Sequence, residues 1–180
     1  PPDSIDMKLT SKLAFLVLFL ATPLFADDDV IKPTINEIRN NPAVLEGARL
    51  VSTGQPDEAV LASVKAAGFV AVIDMRGPSE ARGIDESSAV ESLGMTYVSL
   101  PVSGSGDVSF ENAAALDKIL SDLDGPVFMH CASGNRVGAL MALRASQSGA
   151  SREDALAAGK AAGLTRLEPV VAKRLEEAGH

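Results

Sequence analysis

Val127-Phe128-Met129-His130-Cys131-Ala132-Ser133-Gly134-Asn135-Arg136-Val137-Gly138 is the stretch from which the fold can be read. An apolar run ends in His-Cys, a short loop of small residues follows, then an Arg, then a helix-like segment from Gly138 to Ala145. The layout is that of a cysteine nucleophile at the carboxyl end of a strand, followed by an anion-binding loop. At a helix N-terminus the dipole and the unpaired backbone N–H groups favour negative charge, and the same field favours thiolate over thiol. Arg136 presents a planar fork of donors that matches a tetrahedral oxyanion. A structural Cys buried at a strand end is the competing reading. It leaves the small-residue loop and the Arg that follow unexplained.

Outward from this stretch, strand and helix patterns alternate. Ala48 to Ser52 reads as a short strand, and Pro56-Asp57 opens a helix to about Ala67, stopped by Gly68. Phe69 to Asp74 is a continuous apolar run of the kind found in buried parallel strands. Ser87 to Leu93 reads as helix, Met95 to Leu100 as strand, and Ser109 as the cap of a helix through Leu123. Pro126 to His130 is the strand that delivers Cys131. Helices follow over Arg136 to Ser148, Arg152 to Ala162 and Leu167 to Ala178, with Ser151 and Thr165 as caps and Thr165 with Glu168 fitting a capping box. The pattern predicts an α/β fold: a mostly parallel central sheet flanked by helices, with its site at the carboxyl ends of the strands.

At 180 residues the chain suits a single core, and its formal charge of −8 argues against nucleic acid or anionic membranes as partners. An anionic substrate must therefore be captured by a local positive pocket. Residues 1–6 read as upstream of a natural start at Met7. Lys8 and Lys12, the apolar run Leu13 to Leu20 and the segment ending in Ala26 have the order of a cleaved signal peptide over 7–26. The expectation is a periplasmic or secreted protein starting near Asp27, with no stable membrane span after processing. Residues 27–47 then read as a lead-in and 48–180 as the domain. Cys131 is the only cysteine, so no intramolecular disulfide can form.

Four segments together resemble the cysteine-dependent phosphatases. They are Ser52-Thr53-Gly54-Gln55-Pro56, Ala67-Gly68-Phe69-Val70-Ala71-Val72-Ile73-Asp74-Met75-Arg76, Leu100-Pro101-Val102, and His130-Cys131-Ala132-Ser133-Gly134-Asn135-Arg136. The resemblance covers about Ala48 to Arg144. It is nearest to the bacterial beta-lactamase-hydrolase-like group of dual-specificity-type phosphatase domains. It implies a protein-tyrosine-phosphatase-like fold, a phosphocysteine intermediate, and no metal or other cofactor. The chain departs from the usual signature in having four residues, not five, between Cys131 and Arg136, and Val137 where a hydroxyl residue usually follows the Arg. A loop of that length is similar to that of rhodaneses, as is Asp74-Met75-Arg76 with Glu80.

On the phosphatase reading Cys131 is the nucleophile, Arg136 the oxyanion fork and Asp107 the first candidate for general acid. Asp107 follows the flexible Ser103-Gly104-Ser105-Gly106 run; the alternative is a capping role ahead of Ser109. Ala132, Ser133, Gly134 and Asn135 supply the substrate-binding loop, and His130 orients it. Asp74 is a second candidate acid, with an ion pair to Arg76 as its alternative. Glu80, Arg82 and Glu86 read more simply as solvated loop charges than as a pocket rim. Three functions stay open: a phosphatase acting on a small anionic substrate or a phosphoprotein, a sulfurtransferase or persulfide carrier using the same Cys131, and a non-catalytic anion- or partner-binding domain.

Overall fold

The computed structural model describes residues 29–179. The segment read as a signal peptide, 7–26, lies outside the described residues. Five parallel strands form one sheet: β1 (Val30–Ile31), β2 (Leu50–Thr53), β3 (Ala71–Asp74), β4 (Thr96–Ser99) and β5 (Val127–His130), in the order β1-β2-β5-β3-β4. The central strand is thus β5, the one that ends at His130 and hands the chain to Cys131. β2 and β3 flank it, with Thr53 and Asp74 both in register with His130.

Among the described residues seven α-helices complete the fold: α1 (Ile35–Asn40), α2 (Glu58–Ala66), α3 (Glu86–Ser92), α4 (Phe110–Asp122), α5 (Asn135–Gln147), α6 (Arg152–Ala161) and α7 (Glu168–Glu177). Strand alternation divides the core in two. Leu50, Ala71, Ile73, Val127 and Met129 face one layer with Leu116 of α4, Leu140 of α5, Ala155 of α6 and Leu175 of α7. Val51, Val72 and Phe128 face the other, with Ile38 of α1, Leu61 of α2 and Val90 of α3. Both sheet faces are covered, which is why β3 and β5 are buried along their whole length.

Short polar side chains start several of these helices. Asp57 accepts from Val60 N, Ser109 from Asn112 N and Ser151 from Asp154 N. The Thr165–Glu168 capping box does not form. Leu167 is the N-cap of α7, and Thr165 instead donates to the Asn135 side chain. The lead-in assigned to 27–47 is drawn into the fold from Val30 on. β1 pairs with β2, Ile38 and Leu45 are fully buried, and Thr34 with Glu37 forms a capping box for α1. α5 and α6 approach closely: a Cβ at Gly138 would stand 2.0 Å from Leu164 N and 2.7 Å from Gly159 O. Ser52 adds a buried bond across the same layer, donating to Ala162 O at 2.5 Å.

Candidate active site

β5 delivers Cys131 to a tight turn. Gly134, at φ 81°, is the N-cap of α5, a left-handed conformation that glycine adopts without steric cost. The turn brings Gly134 N–H to 3.1 Å from Cys131 Sγ, so a backbone donor faces the sulfur. Ser133 forms a bridge with Gly54, which fastens the loop to the end of β2. Cys131 is 1% exposed, and the loop that follows it borders a cavity of about 460 Å³. Ala132, Ser133, Asn135, Arg136, Glu80 and Arg166 are among the residues that line it.

Arg136 sits in the first turn of α5 and is tightly held. Its Nη1 and Nη2 donate to the two oxygens of Glu80 at 2.5 and 2.7 Å, and Nη1 also donates to Val102 O at 3.0 Å. Three of the five guanidinium N–H donors are used in these bonds. Glu80 first, and Cys131 after it, raise the Arg136 pKa against the opposing effect of burial. Glu80 is in turn fixed by Gly77 N–H at 2.7 Å, and the Arg136 hydrogen bonds lower its carboxyl to about 2.

Behind the loop lies a buried charge cluster. His130 Nε2 is 2.6 Å from Glu86 Oε1, and its Nδ1 is 3.4 Å from the Cys131 carbonyl. Arg76 donates to both oxygens of Asp74 at 2.9 Å and to Glu86, and Arg82 also donates to Asp74. Asp74, Arg76 and His130 are fully buried and Glu86 is 1% exposed. Burial pushes the Asp74 pKa up. Arg76, the adjacent His130 and the Tyr97 hydroxyl outweigh it and hold the carboxyl well below the usual range. Burial, followed by the bond to Asp74, pushes Tyr97 up to about 12. Ligand-type atoms of Asp74, Glu86 and His130 lie within 4.8 Å of one another. The same carboxylates already receive guanidinium donors, so arginine meets their charge where a metal would otherwise be needed.

The structure therefore brings Cys131, Ala132, Ser133, Gly134, Asn135 and Arg136 together, with His130 beneath. The Asn135 side chain is turned away from substrate work: its Oδ1 accepts from Thr165 N, Thr165 Oγ1 and Leu167 N. Asp107 stays in the 103–107 loop, where its carboxylate accepts Ser103 N–H at 2.7 Å. It is not the helix cap, a role that Ser109 fills. Asp74 makes the ion pair with Arg76. Glu80, Arg82 and Glu86 are not solvated loop charges: Glu80 orients Arg136, Arg82 meets Asp74, and Glu86 supports His130. The similarity of Asp74-Met75-Arg76 with Glu80 to rhodaneses marked the segment, but not its partners. Arg166 carried no sequence signal at all.

A family model described as "Beta-lactamase hydrolase-like protein, phosphatase-like domain" matches residues 46–150. The Beta-lactamase hydrolase-like protein of Agrobacterium fabrum is 35% identical over 105 residues, 56% of this chain and 24% of that protein. The chain thus spans about a quarter of that relative's length. Among solved structures, a candidate phosphatase from Neisseria meningitidis superposes with a TM-score of 0.59 at 22% identity, over 69% of this chain and 89% of that one. PTPMT1 gives 0.54 at 18% identity, over 71% and 90%. The chain belongs to the phosphatase-like domain family of the beta-lactamase hydrolase-like proteins, and its architecture is that of the protein-tyrosine-phosphatase-like cysteine phosphatases.

Proposed function

We propose that the protein is an exported cysteine-dependent phosphatase that hydrolyses a phosphate ester through a phosphocysteine intermediate. The observation that carries this reading is the constrained Arg136. Glu80 and Val102 O hold its guanidinium in the wall of the cavity that Ala132 and Ser133 also line. An incoming phosphoryl group takes the two N–H donors that these bonds leave over. Donors held in place before the reaction cost no reorganisation as charge develops.

In the first step the Cys131 thiolate forms a bond to phosphorus and the ester P–O bond breaks. The leaving oxygen takes a proton from a general acid, for which Asp107 remains the candidate. Donation by Asp107 requires its carboxylate to leave Ser103 N–H and turn toward the cavity. In the second step water attacks the phosphocysteine, releasing phosphate and restoring the thiolate. The backbone N–H groups of Ala132 to Arg136 and the Arg136 fork hold the equatorial oxygens. The Gly134 N–H that faces Sγ stabilises the thiolate as it leaves.

Intact-protein mass spectrometry after rapid quench with an aryl phosphate is the test. A phosphoryl adduct on wild type that is absent from Cys131→Ser is expected. A persulfide formed from thiosulfate, with no phosphate released from any ester, would replace phosphoryl transfer with sulfur transfer. Export rests on the order of residues 7–26 and predicts a native N-terminus near Asp27 in the exported fraction.

A further inference from the structure

The cavity holds a cation that the nucleophile loop does not account for. Arg166 lies in the turn between α6 and α7 and is exposed, yet lines the same cavity as Arg136 and Ser133. Arg136 is committed to Glu80, whereas Arg166 makes no ion pair and no side-chain hydrogen bond among the described residues. Its backbone is nonetheless held. Asn135 Oδ1 takes Thr165 N at 2.8 Å, Thr165 Oγ1 at 3.1 Å and Leu167 N at 3.4 Å, gripping the chain on both sides of Arg166. Asn135 is 9% exposed and immediately precedes Arg136 in sequence. One side chain thus ties the turn bearing the second cation to the helical turn bearing the first.

Charge balance gives this arrangement a use. Glu80 already neutralises Arg136, and a phosphate ester brings its own charge up to a thiolate. The chain as a whole carries −8, so its general field repels anions. An unpaired guanidinium at a fixed backbone position in the cavity wall offsets that repulsion locally. It also offers a planar donor pair to a carboxylate or phosphate. The α6–α7 turn lies outside residues 46–150, so this feature is contributed by a part of the chain that the family match does not reach.

We propose that Arg166 forms a second anion subsite, and that the substrate is a small phosphate ester carrying a further anionic group, a carboxylate or a second phosphate. The cavity volume of about 460 Å³ suits a small ligand. The substrate assignment rests on the phosphatase reading, and the test separates the two.

Phenyl phosphate is compared with its meta- and para-carboxylate derivatives and with an alkane bisphosphate, on wild type, Arg166→Gln and Arg166→Lys. Wild type is expected to show a lower KM for at least one of the doubly anionic esters. Arg166→Gln should shrink that preference about fivefold, the upper range for an exposed ion pair. Arg166→Lys should restore part of it, and added salt should weaken it. An unchanged preference in Arg166→Gln, or an equal loss on phenyl phosphate and on the esters carrying a second anionic group, overturns the subsite. In parallel, calorimetry on Cys131→Ser measures pyrophosphate against phosphate binding with and without Arg166→Gln. An Arg166-dependent pyrophosphate preference without turnover of any ester by wild type keeps the subsite and removes the phosphatase reading. Turnover without any such preference does the reverse. A preference seen only with acidic phosphopeptides overturns the small-ester assignment.

Discussion

Glu80→Gln tests whether the carboxylate on Arg136 is a brace or a block. The carboxyl stands at about 2 against an ordinary 4.5, with the Arg136 hydrogen bonds as the largest cause. Taken at face value the shift corresponds to roughly 3 kcal/mol of interaction. The Glu80 side chain is 32% exposed, and solvent screening reduces the useful part to about 1.5 kcal/mol. The sign follows from the lowered value. The stabilisation is complete above the unfolded value near 4.5 and is lost as pH falls through the folded value of about 2. The brace is therefore intact across any neutral assay. Gln keeps one acceptor oxygen but loses the charge and the second oxygen, so the guanidinium is free to rotate off the reacting phosphoryl group. Steady-state kinetics on an aryl phosphate should show kcat lowered about tenfold, from about 1.4 kcal/mol of lost transition-state orientation. KM should stay level or fall, because the site has lost a negative charge. A kcat equal to or above that of wild type would refute the argument, since it would mean that Glu80 competes with substrate for Arg136.

Two further perturbations probe the layers on either side of the loop. Glu86→Gln leaves Arg76 and His130 buried with less compensation and should cost about 3 kcal/mol of stability, read as a lower urea midpoint at unchanged slope. Asp107→Asn should slow hydrolysis of an alkyl phosphate by roughly 10²-fold and of a nitrophenyl ester far less, since only the poor leaving group needs a proton. Equal effects on the two esters would remove Asp107 from the chemistry.

The parts of this molecule legible in sequence are those with a local signal. The continuous apolar runs of β3 and β5, the Ser109 and Ser151 caps and the small-residue loop after Cys131 all act within a few residues of their partners. The charge pairs around the loop are of another kind. Arg136 and Glu80 are 56 residues apart and His130 and Glu86 are 44 apart, joined only because β3 and β5 are neighbours in the sheet. Loop charges look alike in sequence whether solvated or buried, so Glu86 was indistinguishable from a surface residue. β1, with two residues, is too short for any periodicity. The Thr165–Glu168 pattern was a sound local motif, overruled because Asn135 competes for the Thr165 backbone and hydroxyl. Arg166 depends on that same contact, so reading it from sequence would have required knowing the tertiary fold.

The charges also explain how a chain of net −8 can host anion chemistry at all. Beneath the loop, Asp74 and Glu86 are met by Arg76 and Arg82; at its rim, Glu80 is met by Arg136. Each pair is close to neutral as a unit, so the acidic residues that position the machinery do not add to the repulsion felt by a substrate. What remains uncompensated is local: the helix N-terminus at Gly134, beside the Cys131 sulfur, and Arg166. Cancelling the scaffold charges leaves the reacting sulfur in a field set by backbone dipoles and two guanidinium groups. The first, Arg136, is held by hydrogen bonds to its side chain and the second, Arg166, by the bonds on either side of its backbone, with no need for long-range attraction. For that reason removing a buried acid such as Glu86 should disturb stability first, whereas removing Glu80 should disturb turnover first.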